Sequence, residues 1–119
     1  MIGAILSIAF SQKVDYCIYR SVSTRAEVEF AWDERKSGLN KRKHGISFDL
    51  ALLVFEDPFH VSQQDREAEG EERWQTIGMV QGLQVLLVAH TVEEEGDLVR
   101  IFFARKATPR ERRIYAQGY

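Results

Sequence analysis

Cysteine is almost missing from this chain: its 119 residues hold one, Cys17. A single thiol cannot close an internal bridge, which points to a reducing, cytoplasmic setting, and its apolar and aromatic neighbours suit a packed thiol better than a nucleophile. Long apolar runs are also missing. The opening MIGAILSIAF is ten residues, against the roughly 20 that a membrane-spanning helix needs, and no Lys or Arg precedes it as a secretory signal requires. Neither a membrane span nor export is expected. The three histidines, His44, His60 and His90, stand 16 and 30 residues apart with no H-x-x-x-H and no cysteine pair, so no metal and no cofactor is expected. G-x-S-x-G and G-x-x-x-x-G-K-[ST] are absent, which removes the familiar hydrolase and nucleotide-binding readings. Internal repeats and low-complexity segments are lacking too.

What is present is a chain with 45% hydrophobic and 29% charged residues, enough to bury one core without disulfides. Residues 11 to 27 show no clear period, and residues 1 to 27 read as an N-terminal extension that the domain, residues 28 to 119, can do without. From Val28 the pattern is regular. Val28, Phe30 and Trp32 alternate as a half-buried strand, and Asp33 caps a basic helix that Gly45 stops. Ser47 caps a second helix, FDLALLVFED, closed by Pro58. Strands follow at Trp74 to Val80, LQVLLVAHT and LVRIFFA, with HVSQQ as a possible added edge. Thr108, Pro109, Arg110 and Glu111 form a capping box opening the last helix, which makes Glu111 a cap rather than a catalytic carboxylate. The order β-α-α-β-β-β-α predicts an α+β fold with a small, mostly antiparallel sheet.

A formal net charge of -2 conceals strong segregation. Residues 35 to 44 carry five Lys or Arg and no acid, and residues 98 to 119 carry six against Glu111 alone. Acids gather instead in residues 56 to 72 and in the turn 93 to 97. Such a chain can present one surface to a polyanion while being acidic as a whole. Along LVRIFFARK, strict alternation would set Arg100, Phe102 and Ala104 on one side and Val99, Ile101 and Phe103 on the other. An arginine within an apolar strand must be paired or open on a groove. Arg100 could pair with Glu29 or Glu72, or serve a polyanion.

FAWDERKSGLNKRKHGISFDLALLVFEDP, GEERWQTIG, VLLVAHT and RIFFARKATPRERRIY together resemble the BrnT family, the toxins of BrnT and BrnA type II toxin-antitoxin modules. The resemblance spans about residues 28 to 115 and rests on W-D, N-x-x-K-H-G, E-x-R and R-I-x-x-A-R-x-A-T-x-x-E-R in order. It implies a fold similar to RelE ribonucleases and RNA cleavage that halts growth. It also implies silencing by a BrnA-like antitoxin whose dimer binds DNA and holds two toxin copies; DNA would be met only through that antitoxin. Phe103 stands where the family often has serine, and the first 25 residues have no counterpart.

Attack of a ribose 2′-OH on its phosphate needs proton transfer and positive charge around the phosphorane. Arginine supplies the charge in a planar fork, which nominates Arg73, Arg100 and Arg105. Proton transfer suits His44 or His90, or Lys43 among its cationic neighbours, and His44 is the one placed among the catalytic candidates. Lys43, Lys106, Trp74 and His90 are the RNA-binding candidates, with Trp74 and His90 equally suited to the core. A ribonuclease and a non-catalytic RNA- or partner-binding domain both use such residues.

Overall fold

The computed structural model describes residues 16–22, 27–68, 71–92 and 98–118. Six strands form one sheet in the order β1-β2-β6-β5-β4-β3: β1 Tyr16–Val22, β2 Glu27–Asp33, β3 Val61–Ala68, β4 Glu71–Val80, β5 Gln84–Val92 and β6 Leu98–Lys106. The sheet is mixed, because β2 runs parallel to β6 while every other pairing is antiparallel. Helices α1 Glu34–His44 and α2 Phe48–Ala51 precede β3, and α3 Pro109–Gln117 follows β6. The fold is therefore α+β, as the element order predicts, with two strands more than that order contains. One is β3, at the place of HVSQQ. The other is β1, inside the expected extension and paired along all of β2. The apolar opening 1–10 and the acidic turn 93–97 lie outside the described residues.

Local chemistry sets the helix ends. Asp33 accepts the Arg35 N–H at 2.9 Å to start α1, and Gly45, at φ +77°, closes it by donating to the Lys41 carbonyl at 2.8 Å. Thr108 and Glu111 complete the expected capping box of α3. The second helix departs from its sequence pattern. Only Phe48–Ala51 is α-helical, and Leu52–Glu56 tightens into a 3₁₀ turn. This turn packs closely on β4: a Cβ on Gly78 would lie 2.9 Å from the Val54 carbonyl oxygen and from its Cγ1. Asp57 then fixes the exit, accepting N–H groups from Phe59 at 2.9 Å and Met79 at 2.8 Å and the Tyr115 hydroxyl at 2.6 Å.

Both faces of the sheet are covered, unequally. On one, α1, α2 and the 3₁₀ turn enclose Phe30, Trp32, Phe48, Val54, Leu86, Val88 and Ile101. On the other, α3 lays Ile114 and Tyr115 over Ile77, Val85, Leu87 and Ala107. Among the described residues, the nine of α3 cover only part of that second face. The rest of it carries the charged side chains.

Candidate functional site

The part of the second face that α3 leaves uncovered among the described residues can be read from the register. Arg73 pairs with Thr91, and Thr91 pairs with Arg100, so the two arginines flank one β5 residue in a single row across β4, β5 and β6. Gln75, Ala89 and Phe103 form the next row, and Ile77, Leu87 and Arg105 the one after. Neighbouring strands lie about 4.8 Å apart, which places the Arg73 and Arg100 backbones about 10 Å from one another, within reach of two long side chains for one phosphate.

A β-bulge makes this face possible. Ala89 pairs with Phe103 but His90 with Ile101, so Phe102 is an extra residue in β6. The burial agrees: Val99, Ile101 and Ala104 all belong to the core under α1 and α2, with two residues rather than one separating the last pair. The simple alternation expected for LVRIFFARK is thus wrong beyond Ile101. Unbulged, Arg100 and Arg105 would face opposite ways, being five residues apart. The extra residue brings both arginines and both phenylalanines to the α3 side.

Each charged group there has a distinct setting. Arg73 lays its guanidinium over the Phe102 ring, 4.8 Å from the centroid, and its buried Nε has no hydrogen-bond partner among the described residues. Arg105 forks onto Glu111, with Nη1 2.8 Å from Oε1 and Nη2 2.9 Å from Oε2. The hydrogen bonds and charge of this pair raise the Arg105 pKa and lower that of Glu111. Glu111 therefore does more than cap α3, the role its sequence position suggests. His44, in the last turn of α1, meets Phe103 edge to face at 5.1 Å between centroids and so borders the site beyond β6. Lys43 is exposed beside it.

Three candidates fall elsewhere. His90 is 3% exposed on the helix-covered face, where Nε2 meets the Thr76 hydroxyl at 2.7 Å and Phe55 packs edge-on at 5.0 Å. Burial pushes its pKa down to about 4, leaving a neutral core histidine rather than an RNA contact. Trp74 shares a row with His90 and faces the same way, so it cannot join Arg73 beside it. Lys106 is exposed but pairs with Leu86, a core residue of that same covered face.

Asn40 is the residue whose role the sequence left unseen. Its Nδ2 donates to the carbonyls of Ile46 and Ala104 at 2.8 Å each, and its Oδ1 accepts the Ala104 N–H at 3.3 Å. It supplies the edge partner that β6 lacks where β2 pairs only as far as Arg100, directly beyond the bulge. The N-x-x-K-H-G spacing holds the signal, since Asn40 and His44 are one helical turn apart.

A face with two arginines in one row, a third beyond them and an imidazole at the rim can grip a phosphodiester and move a proton beside it. No helix among the described residues is long and apolar enough to cross a membrane. The family model described as "Ribonuclease toxin, BrnT, of type II toxin-antitoxin system" matches residues 32–111. The solved structure of the Brucella abortus ribonuclease toxin BrnT is similar at 26% identity, covering 65% of this chain and 92% of that one with a TM-score of 0.48. Comparison with curated proteins gave no match. The family match takes in every site residue on α1, β4, β5 and β6 and the first turn of α3, and the chain belongs to the BrnT family of ribonuclease toxins of type II toxin-antitoxin systems.

Proposed function

We propose that this chain is a metal-independent endoribonuclease that cuts RNA on the open face of β4, β5 and β6 and thereby arrests growth. The observation that carries the reading is the β6 bulge, which turns Arg105 to the face already holding Arg73 and Arg100. Arg73 and Arg100 would hold the non-bridging oxygens of the scissile phosphate, where the negative charge of the phosphorane grows. His44 would take the proton of the 2′-OH as its oxygen attacks phosphorus, and the bond to the 5′ oxygen would break with that oxygen taking a proton from water, leaving a 2′,3′-cyclic phosphate and a 5′-hydroxyl. Likeness to RelE-type ribonucleases belongs to the same proposal and fits a site built mainly of cations.

A BrnA-like antitoxin would neutralise the toxin by covering this face with acidic and apolar side chains, its DNA-binding dimer carrying two toxin copies. RNA and antitoxin should then compete. Simultaneous binding at undiminished affinity would put the antitoxin elsewhere.

One observation favours a second reading, a non-catalytic RNA-binding domain: both Nη groups of Arg105 are already engaged by Glu111. Incubating the purified chain with defined RNA in EDTA, with and without ribosomes, separates the two. Cleavage in EDTA supports the nuclease. Bound but intact RNA in both supports the binding domain.

A further inference from the structure

We infer that Phe102 and Phe103 form a stacking platform for nucleobases, so that the substrate of this site is unpaired RNA rather than a duplex. The inference rests on the site being an RNA site and names the substrate class. In a strand of regular period, consecutive residues face opposite ways, and one phenylalanine would enter the core. The bulge keeps both out of it: Ile101 and Ala104 take the core positions, and the two rings stay half-buried on the arginine face. Their neighbours across β5 and β4 are Ala89, Thr91 and Gln75, small or polar groups that leave the rings a low floor beside them.

The groups around them match the task. Arg73 covers Phe102 at 4.8 Å and His44 stands against Phe103 at 5.1 Å, so each ring has a planar, nitrogen-bearing partner. A phosphate gripped in the Arg73–Arg100 row would bring its flanking bases to within one or two residues of these rings. Every base offers a π-face for such stacking, which is therefore tolerant of sequence. Bases inside an A-form duplex are stacked on one another and cannot turn outward, so only an unpaired strand can use the platform.

The test uses 2′-O-methyl oligonucleotides, which the proposed 2′-OH attack cannot cut: one single-stranded, one of the same sequence as a duplex, and one single strand with abasic sites replacing its central bases. Binding would be read by fluorescence anisotropy for the full chain and its Phe102→Leu, Phe103→Leu and Phe103→Tyr variants. Leucine keeps apolar volume without a π-face, and tyrosine keeps the ring. Each leucine variant should bind the base-bearing single strand about tenfold more weakly or worse, while Phe103→Tyr stays near wild type. On the abasic strand, wild type and leucine variants should bind alike. Equal affinity of wild type and leucine variants for the base-bearing strand, or of wild type for duplex and single strand, overturns the platform. If wild type cuts ordinary single-stranded RNA while the leucine variants bind and cut as well as it does, the platform fails and the nuclease stands. Should wild type neither bind nor cut any of these RNAs, both readings fall.

Discussion

Single side chains separate function from architecture most sharply at Arg105. Its fork onto Glu111 is partly buried, and Glu111 also accepts the Thr108 N–H at 2.9 Å, so Arg105→Ala removes a charge-assisted pair that supports α3. We expect a loss of about 1 kcal/mol in stability, together with reduced cleavage, measured by denaturant unfolding and RNA digestion of one preparation. A variant that is as stable as wild type would show that the pair supports nothing. His90 gives a pH prediction. Its pKa is about 4 in the fold, because burial disfavours the imidazolium, against about 6.5 when unfolded. The unfolded chain takes up the proton first, so this contribution is complete above about pH 6.5 and drains away as pH falls toward 4, by about 3 kcal/mol in all. Asp57 and Glu111 titrate below their ordinary values and add their losses at the acid end. For Asp57, burial raises the pKa, but hydrogen bonds from Met79, Tyr115 and Phe59 outweigh it. Unfolding free energies at stepped pH should show the slope above pH 4.5, and His90→Gln should flatten it. An unchanged slope in that variant would assign it to other groups.

Elements were legible wherever a local signal existed. Asp33, Gly45, Ser47 and the Thr108 box fix helix ends through contacts between near neighbours in sequence, and each cap lies where its residue type places it. The bulge was not legible, because period two in LVRIFFARK looks complete until the partner strand is known; the register of β5 is what inserts Phe102. The same ignorance of register put Trp74 and His90 among the RNA contacts, although both share the covered face. The 3₁₀ turn was hidden for a related reason, since the glycine it packs on, Gly78, lies on another strand. Asn40 tests whether α1 holds the bulged strand in place. Asn40→Ala leaves the Ala104 N–H and carbonyl buried without their side-chain partner, which should cost about 2 to 4 kcal/mol. At low temperature, where the variant is still folded, cleavage should fall too. Loss of stability with full activity would make Asn40 a staple remote from the site.

For the whole molecule, segregated charge reconciles an acidic chain with the proposed polyanion site: basic side chains of β4, β6 and the end of α1 border one face of the sheet. Strand β1 stands apart from that face, at the sheet edge beyond β2. The family match begins at residue 32, and β2 already packs Phe30 and Trp32 under the helices. A chain beginning at Glu27 should therefore fold and cut RNA with a stability loss under about 2 kcal/mol; aggregation or a larger loss in calorimetry would make β1 part of the core structure. The central claim, that the arginine row holds the scissile phosphate, is tested most directly by cleavage and melting of Arg100→Ala and Arg100→Lys in EDTA. We predict that alanine slows cleavage on the order of 10²- to 10³-fold with little change in melting temperature, and that lysine restores only part, since a point charge lacks the planar fork. Full activity in Arg100→Ala, or a variant that melts far below wild type, would contradict the account and return the arginine to the architecture.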